Sequence, residues 1–87
     1  MKVVFSPTAL DHVSYWTEAN PKMVRRIFDL IKEIRRTPYE GKGNPEALKH
    51  EWSGYWSRRI DQEHRLIYRI TEDEPPMVYI ASAKGHY

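Results

Sequence analysis

W-S-G-Y-W-S-R-R-I-D-Q-E-H-R-L-I-Y-R, residues 52–69, reads as two strands joined by a short polar turn. Strict alternation places Trp56, Arg58 and Ile60 on one face and Tyr55, Ser57 and Arg59 on the other. In the second half, Leu66, Tyr68 and Ile70 alternate with Arg65, Ile67 and Arg69. With a three-residue turn, Asp61-Gln62-Glu63, Ile60 stands opposite His64 and Arg59 opposite Arg65, and the two mostly apolar faces coincide. That coincidence fixes the register. A slip of one residue would put Arg59 and Arg65 on opposite faces and mix apolar with charged positions. The aligned hairpin gathers Arg59, Arg65, Arg69, Tyr55 and Ser57 on one face of a sheet. Three arginines on such a face imply an anion, and the sequence reading assigns a phosphate.

Working outward, the segment before the hairpin is helical. Lys2 to Phe5 is a short apolar strand, and Ser6-Pro7 is a helix start, a hydroxyl to cap a free amide followed by proline at the first helical position. Ala9, Leu10, Val13 and Trp16 follow at helical spacing. His12 falls on a polar stretch and receives no role. Asn20-Pro21 repeats the start signal. The second helix is the clearest element. Val24, Ile27, Phe28, Ile31 and Ile34 form one stripe with Met23 and Leu30 beside it, charged residues fill the rest, and Thr37-Pro38 ends it. Residues 39–45, Y-E-G-K-G-N-P, form a loop by every local signal. They lack the G-x-x-x-x-G-K-[ST] spacing, so this is not a P-loop. Residues 46–52 lead into the hairpin. Residues 72–76, E-D-E-P-P, make an acidic turn, and residues 77–84 a last strand. The order of strand, two helices, then three or four strands predicts an α+β domain. Its two-helix hairpin packs on a mostly antiparallel sheet.

The 87 residues predict a single domain, 1–87. A chain this short buries only about 60–65% of the surface its unfolded form exposes, so its own stability is marginal. With 40% hydrophobic and 13% aromatic residues it folds rather than staying disordered. The lack of cysteine removes disulfides, thiolate metal sites and cysteine nucleophiles together, and fits a cytoplasmic location. No apolar run approaches the ~18 residues of a membrane span. The net charge of +2 conceals an uneven spread, because residues 22–36 hold six basic and two acidic side chains. Such a concentrated positive field suits nucleic acid or an acidic protein partner; a solvated helix face is the other reading.

Outside the arginines, the polar groups of interest are Glu46, Lys49, His50, His64, His86 and Tyr87. Ligand spacing for a metal is missing, and nothing like a nucleophile elbow is present. No cofactor is expected. A carboxylate, a histidine and several cations suit metal-free phosphoryl transfer on RNA. A carboxylate or lysine takes the proton of the ribose 2′-OH, arginine and lysine stabilise the charge added at phosphorus, and histidine protonates the departing 5′-oxygen. Arginine fits the middle role because its planar fork can bind two phosphate oxygens at once.

Residues 35–50, R-R-T-P-Y-E-G-K-G-N-P-E-A-L-K-H, residues 53–68, S-G-Y-W-S-R-R-I-D-Q-E-H-R-L-I-Y, and the final H-Y together resemble the YoeB toxins of the RelE superfamily, the toxin halves of bacterial toxin–antitoxin pairs. The likeness runs over essentially the whole chain; only the acidic turn at residues 73–76 is slightly longer than usual there. It implies a RelE-like fold and a ribosome-dependent messenger-RNA endonuclease, an mRNA interferase acting in the 30S A site and inhibiting translation. By this resemblance Glu46 is the general base, with Lys49 near the phosphate. Arg59 and Arg65 stabilise the transition state, His86 is the general acid, and Tyr87 positions RNA beside it. The implied partners are a cognate antitoxin, the ribosome with its message, operator DNA through the antitoxin complex only, and a second copy of the chain.

Other readings stand beside these. A superfamily relative that poisons DNA gyrase by binding needs no Glu46, Arg65 and His86 set. A purely regulatory role, with the toxin helping its antitoxin repress their operon, is compatible with RNA cleavage. Residue by residue, Glu46 can simply begin a strand, Lys49 and His50 can be solvated strand positions, and His64 is read as structural. Arg59 and Arg65 can pair with Glu63, Glu51 or Glu46 at the surface, worth about 0–1 kcal/mol each. Trp56 and Tyr68 are read as core, Trp52 as either core or RNA contact. His86 and Tyr87 would ordinarily be a frayed end.

Overall fold

A computed structural model describes residues 1–86. The elements are β1 (Lys2–Phe5), α1 (Pro7–Ala19), α2 (Pro21–Arg36), β2 (Glu46–Ala47), β3 (Trp56–Arg59), β4 (Arg65–Ile70) and β5 (Met77–Ser82), with a 3₁₀ turn at His50–Trp52. The strands form one sheet in the order β1-β5-β4-β3-β2. The β1–β5 pair is parallel and the rest are antiparallel. This is the expected α+β arrangement of two helices on a mostly antiparallel sheet.

Both helix starts form where the Ser-Pro and Asn-Pro pairs stand. The Ser6 hydroxyl accepts the Ala9 amide at 3.0 Å and donates to the Ala81 carbonyl at 2.8 Å, so one side chain caps α1 and ties it to the sheet. Asn20 ends α1 through its own amide to the Trp16 carbonyl and starts α2 without using its side chain. The buried face of α2 is Met23, Ile27, Leu30, Ile31 and Ile34. The expected stripe is therefore shifted at one edge: Val24 still packs against the core, but Phe28 is 43% exposed, in edge contact with Phe5. Leu10 of α1 also faces outward, whereas Ala9 and Trp16 are buried. These groups close over Leu66, Tyr68, Val78 and Ile80 from the centre of the sheet.

The hairpin has the expected register. Arg59 pairs with Arg65 and Trp56 with Tyr68, and the Ile60 amide donates to the His64 carbonyl at 2.9 Å. The turn is held by Asp61, whose carboxylate accepts the Glu63 and His64 amides at 2.8 and 2.7 Å. Burial acts to raise this carboxyl, but those two amides, with His64 and Arg26 nearby, outweigh it and hold it below its ordinary range. Residues 46–52 lead into the hairpin as a short strand that stops at Ala47 and a backbone that turns at His50 with φ of 59°, so Lys49 and His50 are not strand positions. The last strand stops at Ser82 rather than reaching Lys84 as expected.

Candidate functional site

Arg58 shows how the site is framed. It lies on the core face of β3, fully buried, and every nitrogen of its fork has a partner. Its Nε donates to the Tyr68 hydroxyl at 3.1 Å and Nη1 to the Lys42 carbonyl at 3.0 Å. Nη2 donates to the carbonyls of Thr37 and Glu40 at 2.6 and 2.9 Å. Tyr68 in turn donates to the Pro38 carbonyl at 2.6 Å, and burial pushes its phenol up while Arg58 opposes the shift. One guanidinium thus replaces water for the carbonyls of the loop after α2. The Arg59 amide adds a bond to the Gly43 carbonyl at 2.7 Å. Gly43 is needed there: with φ of 84°, a Cβ would meet Arg58 Cβ and Leu30 at 3.0 Å. The pinned loop runs on into β2, which begins at Glu46.

Glu46 is an exposed residue of the short edge strand β2, opposite Ser57, and Asn44 Nδ2 donates to its carboxylate at 3.2 Å. Ser57 is opposite Ile67, and the next row on the same face is Arg59–Arg65. Strand spacing and rise then place the Glu46 and Arg65 Cα atoms roughly 12 Å apart on one face, with two long side chains to span the gap. Lys49, exposed at the start of the 3₁₀ turn, lines a cleft of about 370 Å³ together with Glu46 and His50.

The arginines on this face are not alike. Arg69 lies over Tyr55 and Tyr79, with its guanidinium carbon 5.8 and 5.2 Å from their ring centres, so two aromatic faces occupy it. Arg59 is exposed. Arg65 is half-buried, and its Nη1 is buried with no hydrogen-bond partner among the described residues. The Ser57 hydroxyl, one row away, is buried and unpartnered in the same way. Neither Arg59 nor Arg65 makes an ion pair among the described residues; the pairs with Glu63, Glu51 or Glu46 do not form, and the ion pair found there joins Arg36 and Glu33 at 3.9 Å. A buried guanidinium N–H without a partner costs about 1–3 kcal/mol or more, and an incoming anion removes that cost. Ser57 and Ile67 are both buried, so the centre of the face is covered and the cations stand at its end.

The tail comes to this end of the sheet. Beyond Ser82 the chain leaves the ladder and is held by side chains. The Ala83 amide donates to His12 Nδ1 at 3.0 Å, and Trp16 Nε1 donates to the Ala83 carbonyl at 2.9 Å. The Gly85 amide donates to His64 Nδ1 at 2.8 Å, and the Arg65 amide donates to the Gly85 carbonyl at 3.0 Å. His86, exposed, follows directly. His12 is thus not an idle polar residue. Burial chiefly, and Lys84 next, hold its imidazole below the ordinary value against the opposing pull of Asp11. Its contact is with a residue 71 positions away. The Trp16 indole offered the better clue, because a buried indole N–H needs an acceptor. His64, read as structural, holds the tail. Tyr87 lies outside the described residues. Glu46, Arg59 and Arg65 share a face, Lys49 lines the adjoining cleft, and His86 is carried to Arg65 through Gly85.

Comparison with known proteins agrees over the whole chain. The family described as YoeB-like toxin of bacterial type II toxin–antitoxin system matches residues 5–87. Toxin YoeB of Escherichia coli (strain K12) is 49% identical over 87 residues, covering 100% of both chains. The solved structure of a YoeB/ParE toxin from Agrobacterium tumefaciens superposes with a TM-score of 0.95 at 39% identity, covering 100% of both chains. The toxin in a heterotetrameric YoeB–YefM toxin–antitoxin complex from Staphylococcus aureus superposes with a TM-score of 0.88 at 42% identity, covering 100% of this chain and 98% of that one.

Proposed function

Because the chain belongs to the YoeB-like toxins of bacterial type II toxin–antitoxin systems, we propose that it is a metal-independent, ribosome-dependent endoribonuclease that cuts messenger RNA in the A site. The reaction is attack of a ribose 2′-oxygen on the adjacent phosphorus. Glu46 takes the 2′-OH proton as the P–O bond forms. Arg65 and Arg59 bind the non-bridging oxygens as negative charge accumulates there. His86 gives a proton to the 5′-oxygen as its bond to phosphorus breaks, leaving a 2′,3′-cyclic phosphate and a 5′-OH. Lys49 and Tyr87 bind the RNA backbone. The observation that carries this reading is the buried Nη1 of Arg65, without a partner among the described residues, on the face that bears Glu46, with His86 following the residue bonded to the Arg65 amide.

The cleft beside Glu46 is lined by residues 46–50 alone, so message and ribosome supply the remaining walls. The protein acts in the cytoplasm, where translating ribosomes are. The Staphylococcus aureus relative assembles with its antitoxin YefM. A cognate antitoxin is the corresponding partner here, with operator DNA bound through that complex and a second toxin copy within it. The basic surface of α2 suits an acidic antitoxin segment that folds on binding.

A message with a single 2′-deoxy substitution just 5′ of the cut tests the nucleophile. Cleavage on programmed ribosomes should be abolished while A-site codon pairing is retained, and Glu46→Gln should match that loss on the natural message. Cleavage of the deoxy message at the ordinary rate identifies water as nucleophile and sinks the mechanism.

A further inference from the structure

We propose that His64 is a positioning residue for catalysis: its imidazole fixes the chain end so that His86 is registered against Arg65. This rests on the reading of His86 as the general acid. The ladder between β4 and β5 is paired only as far as Ile67 with Ser82, so strand pairing does not hold the residues that follow. Their hold comes in two steps. Ala83 is gripped at its amide by His12 and at its carbonyl by Trp16. Gly85 is gripped at its amide by His64 and at its carbonyl by the Arg65 amide.

The second grip bears on the chemistry. Residues 64 and 65 are adjacent, and together they satisfy both backbone groups of the residue that precedes His86. One of them carries the guanidinium assigned to the phosphate. Acid and cation are therefore set relative to each other through a single residue, rather than through the length of β5. The His64 ring is itself fixed, standing edge-to-face on Trp16 at 4.8 Å and 76°. As Nδ1 accepts the Gly85 amide, the ring proton lies on Nε2. Gly85 adopts φ of 82°, so the direction in which the chain leaves this grip is one a side chain would strain. A general acid works only within hydrogen-bond reach of the leaving oxygen, so the residue that carries it must be held in place.

The test uses single-turnover cleavage on programmed ribosomes, with His64→Phe, His64→Asn and His64→Gln alone and His64→Phe combined with His86→Gln. Phe keeps a ring against Trp16 and removes the acceptor. Asn returns an acceptor near the Nδ1 position, and Gln one near Nε2. We expect His64→Phe to lower the saturated rate about 10- to 100-fold, part of the roughly 10²–10⁴ that a general acid supplies, with half-saturation by ribosomes unchanged. Asn should recover most of the rate and Gln little. In the His86→Gln background, His64→Phe should cause no further loss, because the residue through which it acts is gone. An unimpaired His64→Phe overturns the proposal. So does a further loss in the double variant, which assigns the effect to Arg65 or to the fold. If His64→Phe does not fold, the Asn and Gln variants decide, and equal rates for the two overturn it. Full activity of His86→Gln alone is a distinct result: it removes the acid reading, and the positioning role with it.

Discussion

Arg58 and Arg65 are opposites separated by one turn of hairpin. The first is buried in the core face with each fork nitrogen donating to a carbonyl or hydroxyl. The second stands at the end of the other face with a buried nitrogen that nothing satisfies among the described residues. Folding completes the Arg58 site, because its acceptors arrive with the loop after α2. It leaves Arg65 Nη1 without an acceptor among the described residues, and on the proposed function a phosphate of the RNA supplies it. The same side chain is thus a structural tie in one place and, on the proposed function, a binding group in the other. What separates them is whether the chain supplies the acceptors, which burial and charge do not reveal.

The largest test of this contrast is Arg65→Ala. On the proposed mechanism it removes a donor whose partner appears only during reaction, so the saturated cleavage rate should fall about 10²–10³-fold while ribosome binding and Tm stay close to the wild-type values. Arg65→Lys should not restore the rate, because the fork is lost. A parallel fall in Tm would make Arg65 a second Arg58. The converse is Arg58→Met, which keeps an unbranched stem and strands the carbonyls of Thr37, Glu40 and Lys42. Loss of about 3 kcal/mol is expected from bonds to a charged group, a Tm lower by roughly 10–20 °C in a domain of this size. Cleavage by the folded fraction should be much less affected, and a rate loss at full folding would show that the loop also positions Glu46.

The smallest effect lies at the tail anchor, which is closed like Arg58 but by a group that titrates. His12 accepts the Ala83 amide only when neutral, and its folded value is depressed. Protonation is then easier in the unfolded chain. The stabilisation is complete above the ordinary histidine value of about 6.5 and is lost as pH falls through the lower, folded value. Tm measured between pH 7.5 and 5 should decline across that window, and His12→Asn, which keeps an acceptor without a titrating ring, should flatten the decline. An unchanged slope in the variant assigns it to other groups.

Alternation made the hairpin register legible because it is a local property, and the same reading placed Arg59 and Arg65 on one face; that Glu46 shares this face came only with the pairing of β2. It also put Arg58 on the core face without saying why an arginine could stand there. The answer lies in carbonyls 16 to 21 residues upstream, which no periodicity encodes. His12 and His64 were opaque for the same reason, since each accepts from a backbone amide brought by the tail. The α2 stripe was displaced because helical spacing specifies an apolar face of finite width but not which edge of it the sheet covers. Phe28 lies on the uncovered edge. The site residues themselves were read through family resemblance, which geometry then partly assembles: Glu46, Arg59 and Arg65 by register, His86 by the grip on Gly85.

The position of β5 has a consequence for synthesis. It follows the other four strands in the sequence, yet it lies between β1 and β4, and β1 pairs with it alone. A nascent chain that has emerged only as far as β4 holds a first strand with no neighbour and helices with half a floor. The partners Lys2 and Met77 are as distant in sequence as the sheet allows, and closing so long a loop comes late in folding. The residues that would complete the site follow β5 again. No partial product can therefore bring these residues together, and on the proposed function a translating ribosome meets an active toxin only after β5 has been delivered.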